Sequence, residues 1–530
     1  MQRAAESIIN FIGSQARKTI RRPSRIILIP YYRWVGPAYY RLVLPVLRPL
    51  LGAGISIILW CGRSFGVSFS GTPKIIQSAA ADYYFFRGTR MLDRNEPERA
   101  WLAFSECLQY SNSHYQFMVA AVCLYAGLGR MREAIELFRQ SNRIRLGATI
   151  GAGQYDRYCM LDHFWTAHIG HAAQIDYVLK LRMLEGRDPN DTILYLAPGT
   201  KVTNRFLVDQ WRPYLRLITD PRELPCPEIY AQNLALDFYV PGMTEVGRYY
   251  LWELAAQTYR RWAAEGRKPL LRIPAEVRDR GLKALASAGL PPDIWFVGLH
   301  VREPQFQTHH RDLHDVLNAE IENYLPALEE ITQRGGWVIR MGDPSMTPMP
   351  PLPNVLDYCH SAIRSDWMDV FLAATSRFFI GTSSGVCYVA QDYGVPCVLT
   401  NWWPPAQRPW HAGDIFLPKL LRRVRDSRAL TLEESLNEPF GYCNSESYLR
   451  KKQGVVVEDN DPQDIRAAVI EMIERLDGQS NFDASDLAMR AQADTIYATM
   501  ATRLYDSPGA FGAGVLARDF LRRNPRFVGI

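Results

Sequence analysis

The chain has 530 residues, of which 47% are hydrophobic and 22% are charged. This content supplies packed cores for about three domains of roughly 150 residues and excludes a disordered or low-complexity protein. The net charge of +6 is concentrated, because residues 1–48 carry nine Lys and Arg against one acid, Glu6, for a local net of +8. The remaining 482 residues therefore sum to −2, and a body of that charge argues against nucleic-acid binding.

The first predicted segment, residues 1–70, is a membrane-association segment. It combines an apolar helical stripe, a basic cluster, several tyrosines and fourteen uncharged residues at 49–62. Cationic and aromatic residues suit lipid headgroups, and the uncharged run is shorter than the about 20 residues of a spanning helix. We predict a peripheral or monotopic protein on an anionic membrane surface, at the cytoplasmic face. A true span over residues 42–62 and packing of this segment onto the protein's own domains are the alternatives.

Residues 75–150 are predicted to form helical repeats. The segment Ala-Trp-Leu-Ala-Phe at 100–104 recurs as Ala-Ile-Glu-Leu-Phe at 134–138, a period of 34 residues. This pattern resembles the tetratricopeptide repeat. The repeats either bind a protein partner in their groove or act as a structural spacer; because two repeats are too few for a free solenoid, we favour the spacer.

The remainder is predicted to be an α/β fold with two Rossmann-like domains, at 151–290 and 291–530, facing each other across a cleft. Short apolar runs at 192–197, 294–301, 336–341, 377–381 and 396–400 indicate strands. Amphipathic stretches at 245–265, 274–288, 321–334, 366–375, 386–393 and 464–476 indicate helices. Alternation of the two predicts parallel sheets, and ligands of such sheets bind at the carboxyl ends of the strands.

Three strand-end loops concentrate polar residues that suit a phosphate. His300 and Arg302 share one face of their strand, and an imidazole beside a guanidinium suits a diphosphate or nucleotide. The loop of Thr382, Ser383, Ser384 and Gly385 precedes a helix, whose N-terminus favours an anion. A structural ion pair for the arginine and simple capping by Ser384 are the alternatives.

The third loop joins Arg340 to Asp343, which could orient a ligand or each other. The nine cysteines contain no Cys-x-x-Cys pair, a pattern typical of reduced thiols in the cytoplasm. Because clustered Cys and His spacing is lacking, we expect no metal site. No cofactor is expected.

Four segments carry a family resemblance: Gly-Gly-Trp-Val-Ile-Arg-Met-Gly-Asp (335–343), Ser-Asp-Trp-Met-Asp-Val-Phe-Leu (365–372), Arg-Phe-Phe-Ile-Gly-Thr-Ser-Ser-Gly (377–385) and Tyr-Gly-Val-Pro-Cys-Val-Leu-Thr-Asn (393–401). They resemble bacterial glycosyltransferases of surface-polysaccharide loci and, more distantly, the GDP-fucose-using fucosyltransferases of the GT-B fold. The resemblance covers residues 160–480 and is dense over 295–403. It implies a GT-B-like pair of Rossmann-type domains, with residues 151–290 on the acceptor side and 291–530 on the donor side.

The resemblance also implies roles for individual residues. In the fucosyltransferases a His-x-Arg strand end binds the donor, as His300 and Arg302 would here, and a helix aspartate holds the guanine. That aspartate precedes a phenylalanine by nine positions, the spacing of Asp369 and Phe378. The loop that follows is one residue shorter here, and Glu303 stands where many relatives carry a second arginine.

Such enzymes are similar in inverting the anomeric centre without a bound metal, so a general base must deprotonate the acceptor hydroxyl. The loop from 303 to 315 offers carboxylates and histidines, and we predict Glu303 first and His310 second. On the acceptor side, His168 and His171 precede or begin a helix, with a buried structural role as the alternative.

The leading hypothesis is therefore a glycosyltransferase that moves a sugar from a nucleotide-sugar co-substrate, with a GDP-sugar favoured, to a lipid-linked or surface-polysaccharide acceptor. A sugar-nucleotide epimerase and a nucleotide-sensing repeat scaffold without catalysis are the competing hypotheses.

Overall fold

The computed structural model describes residues 158–161, 163–224, 245–303, 315–437, 439–443, 446–505 and 509–530, together with five isolated positions that are helical (Tyr84, Arg87, Met91, Arg99 and Ala103). Tyr115–Ile530 form one compact unit, and every element named below lies in it. The predicted membrane-association segment lies outside the described residues, and so does the pairing of the helical repeats. Within the described ranges, no helix has both the length and the apolar composition needed to cross a bilayer.

The strands of the described residues are β1 (Cys159–Leu161), β2 (Thr192–Tyr195), β3 (Arg216–Ile218), β4 (Phe296–His300), β5 (Trp337–Arg340), β6 (Val355–Asp357), β7 (Phe379–Gly381), β8 (Cys397–Trp402), β9 (Ile415–Pro418), β10 (Leu420–Arg423), β11 (Val455–Glu458) and β12 (Val515–Leu516). The α-helices are α1 (Phe164–Ala167), α2 (Ile169–Ala173), α3 (Ile175–Leu184), α4 (Arg205–Gln210), α5 (Glu245–Ala264), α6 (Ala275–Ser287), α7 (Leu325–Gln333), α8 (Asp366–Thr375), α9 (Gly385–Asp392), α10 (Leu432–Leu436), α11 (Glu446–Tyr448), α12 (Pro462–Leu476), α13 (Ala484–Tyr505) and α14 (Arg518–Arg523).

The largest sheet has seven strands in the order β12-β9-β8-β7-β4-β5-β6. Every neighbouring pair in it is parallel. The chain starts at β4, adds β5 and β6 on one side, and then returns to add β7, β8, β9 and β12 on the other. The strand order therefore reverses between β4 and β7, which is where doubly wound sheets bind their ligands.

The composition of the strands explains this architecture. All residues of β4, β8 and β9 are buried, as expected for a parallel sheet covered on both faces by helices. Helices α7 and α12 pack against each other, and α8 packs against α9. The prediction of an α/β fold with a large parallel sheet is confirmed.

A second, smaller parallel sheet has the order β1-β2-β3. Helices that follow its strands pack on helices of the large sheet: α2 packs against α9, and α4 packs against α8. Among the described residues this sheet has three strands, so it is a smaller partner than the large sheet. The domain boundaries at 150/151 and 290/291 stay predictions.

The helices expected at 245–265, 274–288, 366–375, 386–393 and 464–476 correspond to α5, α6, α8, α9 and α12. The helix expected at 321–334 opens with a 3-10 turn, Ile321–Tyr324, before α7 begins. The described cysteines at 159, 359, 387, 397 and 443 are free thiols, and all but Cys443 are buried.

Candidate active site

The carboxyl ends of β4 and β7 lie side by side, and His300 is the register partner of Gly381. Each strand is followed at once by the polar residues that the sequence singled out. Because α9 begins directly after the β7 loop, its N-terminus lies at the same edge of the sheet. The predicted donor-binding residues His300, Arg302, Thr382, Ser383, Ser384 and Gly385 are therefore brought together.

Two hydrogen bonds join these loops. The backbone N–H of Arg302 donates to Thr382 Oγ1 at 3.1 Å, and the N–H of Thr382 donates to the His300 carbonyl at 3.2 Å. Thr382 is fully buried and Arg302 is half-buried. Burial lowers the pKa of the Arg302 guanidinium below its ordinary value. Because the ordinary pKa of arginine lies far above physiological pH, the guanidinium stays charged. The loops thus hold a partly desolvated cation at the point where the strand order reverses.

His300 is a buried, neutral imidazole. Burial, and then the charges of Arg302 and Arg340, lower its pKa to about 4. Its Nδ1 atom is shielded from solvent and has no hydrogen-bond partner among the described residues. An unsatisfied buried polar atom costs about 1–3 kcal/mol, and such atoms concentrate at functional sites. His300 therefore presents a ring nitrogen that a ligand can satisfy.

The loop after β7 is held in place by its neighbours. Ser383 Oγ accepts a hydrogen bond from the Trp403 backbone N–H at 2.7 Å. Ser384 occupies the N-cap position of α9, but its side chain makes no capping bond. The Ser384 side chain therefore does not cap α9, which was the alternative prediction. Its hydroxyl lies at the start of the helix.

Helix α2 lies against the start of α9. A Cβ atom added at Gly385 would be 2.5 Å from the Gly170 nitrogen, so the two backbones touch. This contact brings His168 and His171, the predicted acceptor-side residues, to the same region; His168 is exposed, and their ring centroids are 5.2 Å apart. Only glycine at both positions permits this approach.

Asp369 lies in the first turn of α8, which leads into β7 and so begins on the carboxyl-end side of the sheet. Burial raises the pKa of this carboxyl to about 6, although the Tyr358 hydroxyl donates a hydrogen bond to Asp369 Oδ1 at 2.7 Å. The neighbouring Asp366 is exposed and accepts the backbone N–H of Arg205 at 3.2 Å. The two carboxylates of the helix thus differ: Asp366 joins α4 to α8, and Asp369 points into a desolvated environment.

Arg340 and Glu303 form a buried ion pair. Arg340 Nη2 donates to Glu303 Oε1, and Nη1 donates to Asp357 Oδ1 at 3.2 Å. The second Glu303 oxygen accepts the Thr347 N–H at 2.9 Å. Both oxygens of Glu303 are engaged, so its geometry favours a structural role over the predicted role of general base. Arg340 is likewise committed to two carboxylates, which leaves little of its fork for a donor.

The remaining predicted residues lie elsewhere. Asp343 accepts the Ser345 N–H at 2.9 Å in the turn after β5, whereas Arg340 makes its ion pairs with Glu303 and Asp357. Burial would raise the pKa of Asp343, but the hydrogen bonds from Ser345 hold it below its ordinary value. His310 lies outside the described residues.

Sequence reasoning missed Tyr358 and the turn that it begins. The segment Tyr358–His360 follows β6 directly, and β6 is three residues long, too short for a periodic pattern. The signal that could have found it is the polar run Asp-Tyr-Cys-His, which sits at a strand end like the other loops.

No model of a known protein family and no curated protein sequence matches the chain. Among solved structures, the chain is similar to the glycosyl transferase family 9 protein from Veillonella parvula DSM 2008, at 14% identity and a TM-score of 0.36, over 62% of this chain and 98% of that one. It is also similar to the UDP-GlcNAc 2-epimerase of Methanocaldococcus jannaschii in complex with UDP-GlcNAc and UDP, at 13% identity and a TM-score of 0.15, over 44% of this chain and 64% of that one. Neither likeness assigns a role to a residue of this chain.

Proposed function

We propose that the protein is a glycosyltransferase that moves a sugar from a nucleotide-sugar, with a GDP-sugar favoured, to a lipid-linked or surface-polysaccharide acceptor. One observation carries this proposal: an imidazole, a guanidinium, three hydroxyls and a helix start converge at the strand-order reversal between β4 and β7. This combination suits a phosphorylated ligand with a planar base.

In this proposal Arg302 and the start of α9 meet the diphosphate. When the glycosidic bond breaks, negative charge develops on the leaving diphosphate, and a fixed cation beside it stabilises the transition state. Arg302 is half-buried, and partial exclusion of water strengthens its interaction with phosphate oxygens. Cation and backbone N–H groups then supply the charge stabilisation, so the proposed transfer needs no metal at the diphosphate.

Asp369 supports guanine as the base. The Watson–Crick edge of guanine presents two adjacent N–H donors, and a carboxylate with two oxygens accepts both. The Tyr358 hydroxyl donates a hydrogen bond to one oxygen of Asp369. Burial and the charge of Asp369 raise the pKa of Tyr358, so its hydroxyl stays protonated and remains a donor. The neutral His300 ring offers a further hydrogen bond to the same ligand.

Because Glu303 is bonded to Arg340, we assign the general base of this proposal to the loop that follows Glu303, with His310 first. The inverting mechanism needs the base on the face of the sugar opposite the diphosphate. We assign His168 and His171 to the acceptor side; Gly170, which lies between them in the chain, contacts Gly385.

The proposal is tested by thermal melting of the full chain with GDP, UDP, ADP and CMP, followed by transfer of labelled sugar from the stabilising donor into a membrane extract. We expect GDP to raise the melting temperature most and label to appear in the lipid fraction. Arg302→Ala should lose both effects. Arg377→Ala is the matched control, because Arg377 precedes the amino end of β7, away from the candidate site, and pairs with Asp477.

Stabilisation by no nucleotide, or equal stabilisation of wild type and Arg302→Ala, would refute the donor site. Nucleotide binding without any transfer or hydrolysis would instead favour the sensor hypothesis, and a change of the donor sugar without transfer would favour an epimerase.

A further inference from the structure

Three metal-ligating side chains meet on the turn after β6, outside the residues that the proposed function uses. Asp357, Cys359 and His360 each place one ligand atom within 4.8 Å of the others. Cys359 Sγ lies 3.0 Å from Asp357 Oδ1 and 3.3 Å from His360 Nδ1, and that nitrogen lies 2.9 Å from Asp357 Oδ2. We propose that Asp357, Cys359 and His360 bind a zinc ion through three protein ligands.

The ligand types and separations fit this ion. Thiolate, imidazole and carboxylate are the ligands of protein zinc sites, with bonds of about 2.3, 2.0 and 2.1 Å. A tetrahedron with these bonds separates its ligand atoms by about 3.4–3.6 Å. The observed separation of 3.3 Å between Cys359 Sγ and His360 Nδ1 is about 0.2 Å short of the tetrahedral value. The carboxylate approaches the thiol through Oδ1 and the imidazole through Oδ2, so it must turn to present one oxygen to the ion.

The surroundings of the histidine favour the same assignment. His360 Nε2 lies 3.3 Å from the Pro344 carbonyl, a distance at which an N–H on Nε2 donates to it. In the metal-free cluster Nδ1 lies 2.9 Å from Asp357 Oδ2, so an N–H on Nδ1 donates to that carboxylate. In the proposed zinc-bound state the proton lies on Nε2, where it donates to Pro344, and the Nδ1 lone pair binds the ion. Metal-bound histidines regularly donate their second ring N–H to a carbonyl or carboxylate, which fixes the tautomer. The Met349 N–H holds Asp357 Oδ2 at 3.0 Å in the same way.

Charge balance also favours a divalent ion. Arg340 pairs with both Glu303 and Asp357, so this guanidinium and the two carboxylates carry a net charge of −1. Binding of Zn²⁺ displaces the Cys359 thiol proton to solvent, and thiolate, carboxylate and ion then sum to zero. The side chains of Asp357 and His360 are 20% and 27% exposed, so water can reach the fourth position.

A catalytic cysteine does not explain the cluster. In a nucleophilic triad the base uses one ring nitrogen for the nucleophile and the other for the orienting carboxylate. Here Cys359 and Asp357 both approach Nδ1 of His360.

The ion would fix the loop between β5 and β6. That loop already contacts the cluster and its neighbours through the Pro344 carbonyl, the Thr347 backbone and the Met349 N–H. A zinc ion on the turn would therefore stabilise the loop that positions Arg340 and Glu303 at the edge of the candidate active site.

The test is Co²⁺ titration of the full chain after reduction and removal of metal by a chelator. We expect one equivalent to give a thiolate-to-cobalt absorption band and tetrahedral visible bands, both abolished by Zn²⁺, and Zn²⁺ to raise the melting temperature. Cys359→Ser should lose the thiolate band, and His360→Gln should weaken cobalt binding at least tenfold. Cys443→Ser and His163→Gln, which lie away from the cluster, should behave as wild type.

Absence of a thiolate band in folded wild type would overturn the proposal, and so would its persistence in Cys359→Ser. If Cys359→Ser fails to fold, His360→Gln decides, because its side chain is partly exposed; unchanged cobalt affinity in that variant would overturn the site. None of these measurements depends on nucleotide binding.

Discussion

Replacement of Asp369 by asparagine should stabilise the protein at neutral pH while weakening nucleotide binding. The carboxyl is desolvated, and its pKa of about 6 stands above the ordinary 3.8. The folded state therefore binds a proton more tightly than the unfolded state, and stability falls as the pH rises from about 4 to about 6. At 1.36 kcal/mol per pH unit, the cost of ionising this group at pH 7.5 is about 3 kcal/mol.

Asparagine removes that cost and keeps an oxygen that can accept the Tyr358 hydroxyl. The shifted pKa already contains the interaction of this charge with the start of α8, so we expect Asp369→Asn to gain about 3 kcal/mol in the free energy of unfolding at pH 7.5. Near pH 4 the gain should vanish, because the wild-type carboxyl is then protonated.

Urea denaturation at pH 4.5, 6 and 7.5 measures this difference, and calorimetry with GDP measures the loss of binding. Asp279→Asn is the control, because Asp279 is exposed on α6 and its replacement should stay within about 0.5 kcal/mol of wild type. A destabilised Asp369→Asn protein at pH 7.5, or a gain that does not depend on pH, would refute the reasoning. So would GDP affinity equal to wild type, because it would remove the functional reason for retaining a costly charge.

Three further predictions concern stability and membrane binding. Arg340→Met leaves the Glu303 carboxylate buried without its cation and should cost about 3–5 kcal/mol by urea denaturation, whereas adding Glu303→Gln should recover part of the loss; a double loss equal to the sum of the two single losses would exclude coupling. Gly385→Ala drives a methyl group into the backbone of α2 and should lower the free energy of unfolding by about 1–3 kcal/mol, against a small change for Gly413→Ala, whose added Cβ would meet nothing closer than 3.9 Å. Deletion of residues 1–62 should abolish sedimentation with anionic liposomes, and unchanged sedimentation would refute the membrane-association segment.

Most of the large sheet could be predicted from the sequence, because continuous apolar runs bounded by polar loops mark its strands. The runs before His300, Arg340 and Gly381 combine β-branched and aromatic residues and predict strands. Strands β1, β6 and β12 have two or three residues; β7 is as short, but its apolar run ends at a Gly-flanked loop that marks it. The other three form because neighbouring strands offer unpaired backbone groups, which is information that the local sequence does not contain.

Only the local parts of the candidate site could be predicted from the sequence. Alternation on one strand places His300 and Arg302 on the same face, and a Gly-flanked hydroxyl loop before a helix needs no long-range contact. The pair between Glu303 and Arg340 depends on β4 and β5 being neighbours, and the contact between Gly170 and Gly385 depends on packing of α2 against α9. For this reason Glu303 was predicted as a base, although the structure bonds it to an arginine 37 residues away.

The central claim is that the loops at the carboxyl ends of β4 and β7 bind a nucleoside diphosphate through Arg302. Calorimetric titration of the full chain with GDP tests it directly, with Arg302→Ala and Arg377→Ala measured in parallel. A charge-assisted hydrogen bond is worth about 1.5–3 kcal/mol, so Arg302→Ala should weaken binding about 10- to 150-fold. Arg377→Ala should bind as wild type does. Equal affinity of Arg302→Ala and wild type, or no binding of GDP by wild type, would contradict the account.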